Sequence, residues 1–222
     1  MKYFILTFLF ISSAWAISWK AEGQAQLLEL YTSEGCSSCP RADAYLSTLV
    51  HDPNLWKTFV PLSFHVNYWD NLGWKDPFAT EGTTQRQRDI ATTLKSSNIY
   101  TPQFVLQGED TRGSFDHKMS PIKLSAAWDG KELTWMTSPE LKDGTIKYAW
   151  VSMDVNSDVR RGENSGKNLH HDFVVSDLGK GAPVSTKKMD LTRPLSSPAP
   201  LKVLVIWIER EGKPVVAVAN WL

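Results

Sequence analysis

The chain has 222 residues, 42% of them hydrophobic, and 24 lysines and arginines balance 24 aspartates and glutamates. Balanced charge leaves no bulk electrostatic footprint for nucleic acid or an anionic membrane surface, so neither partner is expected. The length suits one large domain or two small ones.

Residues 1–16 read MKYFILTFLFISSAWA: one lysine, an apolar core, then the small-residue ending Ala14-Trp15-Ala16. This is the pattern of a secretory signal cleaved after Ala16. Its apolar core is too short to span a bilayer, and no later stretch is long and apolar enough, so no membrane span is expected after cleavage. The mature chain is therefore expected in the periplasm or outside the cell, where cysteines meet an oxidising environment.

Residues 27–49 read LLELYTSEGCSSCPRADAYLSTL. An apolar run gives way to the turn Thr32-Ser33-Glu34-Gly35, then Cys36 and Cys39, then Pro40 and a helical stripe of Ala42, Tyr45, Leu46 and Leu49. The two cysteines are the only ones in the protein. The spacing predicts both sulfurs on one side of a first helical turn, within bonding reach and open to solvent. The free N–H groups and positive end of a helix dipole favour a thiolate there, and the thiolate is the reactive form. The second sulfur could then attack a mixed disulfide and release a partner. Arg41 would favour that thiolate and Glu34 would oppose it. Two blander readings stand beside this one. A structural staple closing so short a loop contributes only about 2 kcal/mol, and half of a zinc site lacks a second cysteine pair.

Residues 59–66 (FVPLSFHV) predict a second strand, starting near Leu62 because Pro61 lacks a donor. Strand, helix and strand make a βαβ unit with the cysteines at the carboxyl end of its first strand, where open α/β sheets place their sites. The aromatic stretch 67–83 follows on the same edge. Trp69, Trp74 and Phe78 are candidate substrate-groove residues, or equally a packed satellite cluster. Residues 84–98 predict a second helix, with a capping box of Thr84 and Gln87, an apolar stripe of Ile90, Ala91 and Leu94, and Arg86 and Arg88 on the wet face. Thr101-Pro102 precedes a strand over residues 103–107. His65, at the end of the second strand, is a brace for the aromatic loop, a proton-exchanging helper, or the third ligand of a copper or zinc site with Cys36 and Cys39.

The ordered motifs ELYTSEGCSSCP, FHVNYWDNLGWKDPF, QRQR and YTPQFV, and later RGENSGKNLHHDFVV, resemble a family of exported bacterial proteins catalogued as domain of unknown function 1223, with a thioredoxin-like fold. The resemblance implies that Cys36 is the attacking, more exposed thiol, that Cys39 resolves, and that Pro102 is a cis proline facing the pair. Gly35 and Ser37-Ser38 depart from ordinary thioredoxins. Ser37 and Ser38 could donate hydrogen bonds to a thiolate and favour the reduced form.

After a turn at residues 108–113 and a short strand over 112–115, Ser120-Pro121 predicts a helix containing Ile122, Leu124, Ala127 and Trp128. Residues 133–136, 145–155, 169–178, 185–191, 201–209 and 214–221 read as strands parted by Gly, Asn and Pro clusters, the last two as a hairpin. The charged loop at Arg160 to Asn164 reads as solvated, with binding of an acidic ligand or docking on the first domain as alternatives, and adjacent His170 and His171 must face opposite ways. The expected fold class is therefore α/β: a thioredoxin-like domain over residues 17–128, followed by a β-rich, sandwich-like domain over 129–222. The expected function is disulfide exchange with a protein or a small thiol; the alternatives are a copper- or zinc-binding chaperone using Cys36, Cys39 and His65, or a non-catalytic binding module on a thioredoxin-like scaffold. Cys36 attacks, Cys39 resolves, Thr101 and Pro102 shape the substrate edge, and the aromatic loop selects the partner. The cysteine pair itself carries the electrons, so no bound cofactor is needed.

Overall fold

The computed structural model describes residues 19–111, 116 and 118–222. The expected signal segment and the expected short strand over 112–115 lie outside the described residues.

The strands, in chain order, are β1 (Trp19–Gly23), β2 (Gln26–Thr32), β3 (Phe59–His65), β4 (Gln103–Leu106), β5 (Glu109–Asp110), β6 (Leu124–Trp128), β7 (Glu132–Thr137), β8 (Thr145–Ser152), β9 (Val155–Asp158), β10 (Asn168–His171), β11 (Val174–Leu178), β12 (Ala182–Pro183), β13 (Lys188–Asp190), β14 (Leu201–Arg210) and β15 (Lys213–Trp221). Among the described residues, two α-helices, α1 (Cys39–Thr48) and α2 (Glu81–Thr93), and four short 3-10 turns accompany these strands. Neither helix is long and apolar enough to cross a membrane.

Nine strands make one sheet in the order β15-β14-β8-β11-β3-β2-β4-β5, with β12 on β8; β1-β6-β7-β13 make a second sheet, and β9 and β10 a two-stranded ribbon. Among the described strands, only β2 with β3 and β3 with β11 pair in parallel. This corrects the expected α/β class. Among the described residues 42% are in strands and 18% in helices, so the fold is β-rich and not a thioredoxin-like α/β domain. The local βαβ signal was sound for β2, α1 and β3, but almost every other pairing is antiparallel, and strands from both sides of residue 128 enter the same sheet. The stretch expected to be a helix at 120–128 contains β6 instead, because Leu124, Ala126 and Trp128 are buried at a period of two.

Burial on both faces explains the long apolar run of β14. Val203, Val205 and Trp207 join the core that also holds Leu28, Leu30 and Phe64. Leu204, Ile206 and Ile208 join the core under the four-stranded sheet, with Trp19, Trp128 and Trp135. The expected hairpin is β14 and β15, turned by Glu211 and Gly212, both at positive φ.

The two helices cover opposite faces of β2. Thr32 donates to Asp43 of α1, whereas Glu29 accepts from Arg86 of α2, and residues of opposite parity on a strand point to opposite faces. β3 starts at Phe59, three residues before the expected Leu62. Pro61 is tolerated because the N–H of Ser63, two residues on, donates toward Phe173. Pro61 therefore aims its missing donor to the same side, before β11 pairing begins at Val174.

Helix α2 also starts earlier than expected. Its cap is Thr80, whose Oγ1 accepts from the Thr83 N–H at 3.0 Å, and the reciprocal bond from Thr80 N–H to Thr83 Oγ1 closes a capping box. Thr84 and Gln87 are not that box: both are buried, Thr84 Oγ1 accepting from the Asn67 N–H and Gln87 donating to Tyr100 and Gln103. Arg86, expected on the wet face, is buried. It makes a two-bond fork to Glu29 at 2.8 and 3.0 Å and also pairs with Glu209 on β14. Burial pulls its pKa down, but Glu29, Tyr31 and Glu209 more than reverse that and keep the guanidinium charged.

Candidate functional site

β2 ends at Thr32, and the chain turns through Ser33 to Ser38 before α1 begins at Cys39. Cys36 therefore sits in the turn ahead of the helix and Cys39 is its first residue, held by a bond from the Cys39 N–H to the Cys36 carbonyl. Their sulfurs are bonded to one another, with Cα atoms 5.4 Å apart. Cys36 Sγ lies 3.9 Å from the carbonyl oxygen of Thr101 and 3.4 Å from Ser38 Oγ. The Thr101–Pro102 bond is cis. Thr101 and Pro102 thus stand beside the pair, and Ser37 and Ser38 are exposed above it.

The expected solvent-open pair is corrected: Cys36 is 1% exposed and Cys39 is 0%. Two loops cover it. The first is the aromatic loop. Trp69 donates to Thr101 Oγ1 at 2.8 Å and packs so tightly on Gly35 that a Cβ there would meet Trp69 Cβ at 2.9 Å. Trp74 donates to Glu34 Oε2 at 2.6 Å. The second is the 160–166 loop, which is docked on the cysteine turn, one of the alternatives read for Arg160 to Asn164, and not simply solvated. Its Asn164 is fully buried, and the amide donates to the carbonyls of both Glu34 and Cys36, at 2.8 and 2.9 Å. Glu163 accepts from the Ser37 N–H at 3.0 Å. Gly162, at positive φ, passes within 3.4 Å of the Trp74 side chain, measured from where its Cβ would be. Phe78 does not line a groove; it is buried edge-on to His65 and His171, with ring centroids 5.3 and 5.9 Å away.

Beneath this turn lies a buried polar cluster. His65 Nδ1 meets Asp76 Oδ2 at 2.7 Å, and Asp76 also accepts from the Glu34 N–H. His171 Nε2 meets Glu34 Oε1 at 3.3 Å, and its Nδ1 lies 3.9 Å from Asp43 Oδ1. The two imidazole rings are 4.8 Å apart. Burial pulls His171 down, but the Asp43 and Glu34 carboxylates outweigh it and raise the imidazole to about 10. Burial likewise pushes Asp76 up, yet His65 and two backbone donors hold its carboxyl below the ordinary range. Glu34 is therefore committed to Trp74 and His171. A ligand set of Cys36, Cys39 and His65 would need the disulfide broken.

Sequence reasoning placed His170 and His171 on opposite faces, and the structure agrees: His170 is exposed and His171 buried. It missed that His171 joins His65. The signal was present, because His171 is in phase with buried Leu169 and Phe173. Asp43 likewise falls on the buried stripe of α1 with Ala42 and Leu46. Asn164 carried no such signal.

A family model described as protein of unknown function, DUF1223, matches residues 27–209. The chain belongs to that family. The match takes in the cysteine turn, the aromatic loop, Asn164 and His171. A crystal structure of a protein from Agrobacterium tumefaciens is similar over 89% of this chain and 93% of that one, with 23% identity and a TM-score of 0.62. HBP35 of Porphyromonas gingivalis is similar over 90% of this chain and 75% of its own, with 10% identity and a TM-score of 0.58. Both likenesses are of fold alone. No curated protein matches the chain.

Proposed function

We propose that this family member is an exported thiol–disulfide exchange protein that works through Cys36 and Cys39 on a protein or small-thiol partner. The observation that carries the reading is the placement of the only two cysteines. They are bonded across two residues at the entrance of α1, with the Thr101 carbonyl 3.9 Å from Cys36 Sγ. The export signal read in residues 1–16 supports an oxidising compartment for that chemistry.

In the oxidised protein, a partner thiolate attacks Cys36 Sγ; a mixed disulfide forms and Cys39 leaves as the thiolate. A second partner thiolate attacks the partner's own sulfur in the mixed disulfide and releases Cys36. Two electrons pass to the cysteine pair, and the partner leaves as a disulfide. The reverse sequence, starting from the reduced pair, reduces a disulfide partner to its thiols. Because the pair is covered, attack requires the 160–166 loop to lift Asn164 from the Glu34 and Cys36 carbonyls. The exposed Ser37-Ser38 edge, with Thr101, Pro102, Trp69 and Trp74, then meets the partner.

The test is a Cys39→Ser variant in the exporting cell. It is expected to accumulate mixed disulfides through Cys36, and a Cys36→Ser, Cys39→Ser double variant is expected to accumulate none. Equal capture by both, or reduction of the native disulfide by dithiothreitol no faster than global unfolding, would defeat the reading.

A further inference from the structure

The buried cluster under the cysteine turn holds two imidazoles whose second nitrogens are already committed. His65 Nδ1 is fixed by Asp76 and His171 Nε2 by Glu34. Metal-ligating histidines are oriented in this way, each with a carboxylate on the far nitrogen. The near nitrogens, His65 Nε2 and His171 Nδ1, are buried and have no hydrogen-bond partner among the described residues. A buried polar atom left without a partner costs about 1–3 kcal/mol, so two in one cluster call for an explanation. The third member is Asp43. Its Oδ2 accepts from Thr32 Oγ1 at 2.8 Å, and its Oδ1 lies 3.9 Å from His171 Nδ1, too far for a hydrogen bond. One donor atom from each of Asp43, His65 and His171 lies within 4.8 Å of the other two.

We propose that Asp43, His65 Nε2 and His171 Nδ1 form a binding site for a divalent first-row transition-metal ion. Two imidazoles and a carboxylate suit zinc or ferrous iron and leave at least one coordination position open. Ligands bonded at about 2.0–2.1 Å to a tetrahedral ion lie roughly 3.3 Å apart. Closing from the present spacing of at most 4.8 Å takes small side-chain rotations. Binding replaces the proton on His171 Nδ1, which leaves to solvent. A cleft of about 350 Å³ between α1 and β10 reaches Asp43 and His171 from outside, past Ser47 and Asn168, and supplies the route in. The site uses neither cysteine, so it stands or falls separately from disulfide exchange.

The test uses the full mature chain with its disulfide intact. The protein is freed of metal, exposed to excess zinc chloride, desalted, and assayed for bound zinc by mass spectrometry. One equivalent per chain is expected. Asp43→Asn and His171→Gln are expected to weaken zinc binding at least about 100-fold, and Asp76→Asn, acting through His65, about 10–100-fold. His170→Ala, on the exposed side, is expected to bind as the parent does. Cobalt substitution of the unaltered protein gives a second readout that no folding defect of a variant can spoil. Visible bands of a nitrogen and oxygen ligand set, without thiolate charge transfer, are expected. Failure of the parent protein to retain zinc, unchanged affinity in folded Asp43→Asn and His171→Gln, or a thiolate signature from cobalt would each overturn the site. In the first case the cluster is an imidazolium held by carboxylates.

Discussion

At the β8–β14–β15 end of the large sheet, Val203, Val205 and Trp207 face one core and Leu204, Ile206 and Ile208 the other, and each of these side chains is fully buried. At the β2–β3–β11 end, the same sheet buries Glu29, Glu34, Asp43, His65, Asp76 and His171. Apolar burial is favourable without regard to direction, at about 25 cal/mol per Å² removed from water. Burying charge is favourable only where partners meet it. One end could therefore tolerate many sequences of similar volume, whereas the other holds only if each partner is in place. The polar end also carries the cysteine turn and its two covering loops.

Four measurements would break or sharpen that contrast. The largest effect is expected at Arg86, the cation that ties the two ends through Glu29 and Glu209. Arg86→Ala leaves two buried carboxylates uncompensated and is expected to lower the unfolding free energy by about 3–5 kcal/mol in urea titration. A loss below about 1 kcal/mol would mean that the ends are not coupled through it.

Next comes the apolar end. Ile206→Ala should cost about 2–5 kcal/mol through lost transfer energy and the cavity left behind. Its near-isosteric replacement Ile206→Leu should cost less than about 1.5 kcal/mol. A conservative swap that unfolds the protein would contradict the view of this end as tolerant.

Asn164→Ala comes third. It strips a donor from two buried carbonyls, which costs about 1–3 kcal/mol. Because those carbonyls flank the disulfide, its reduction by dithiothreitol under native conditions should speed up about tenfold, a gain equivalent to about 1.4 kcal/mol. Stability loss without faster reduction would make Asn164 a mere brace. The smallest effect is expected at Thr80. Thr80→Ala removes the cap of α2 and should cost about 1 kcal/mol, with no change in disulfide reduction.

Much of the local structure was legible. The hydrophobic run of β14, the β14–β15 turn at Glu211-Gly212, and the strand–turn–helix around Cys36 and Cys39 each follow from neighbours within a few residues. The errors were also local in origin. Residues 120–128 carry an apolar spacing that fits a helix as well as a strand, and only pairing of β6 with β1 and β7 decides between them. Thr84 and Gln87 fit the capping pattern four residues too late, because the actual box pairs Thr80 with Thr83, a threonine where the pattern has Glu or Gln. Arg86 looked solvent-facing because its nearest partner, Glu29, is 57 residues away along the chain.

By itself, then, the sequence determined the cysteine pair at a helix entrance, the apolar strands, and the opposed directions of His170 and His171. These rest on rotation per residue and on turn chemistry, which act over a few residues. Only the tertiary structure decided that one β-rich sheet would draw strands from both halves. That sheet order brings His171 to Glu34 across 137 positions and Asn164 to Cys36 across 128. Such meetings depend on which strand lies next to which, and pairing free energy is shared over the whole sheet and carried by no single motif. Cover over the disulfide and the His65–His171 cluster beneath it are therefore properties of the assembled sheet.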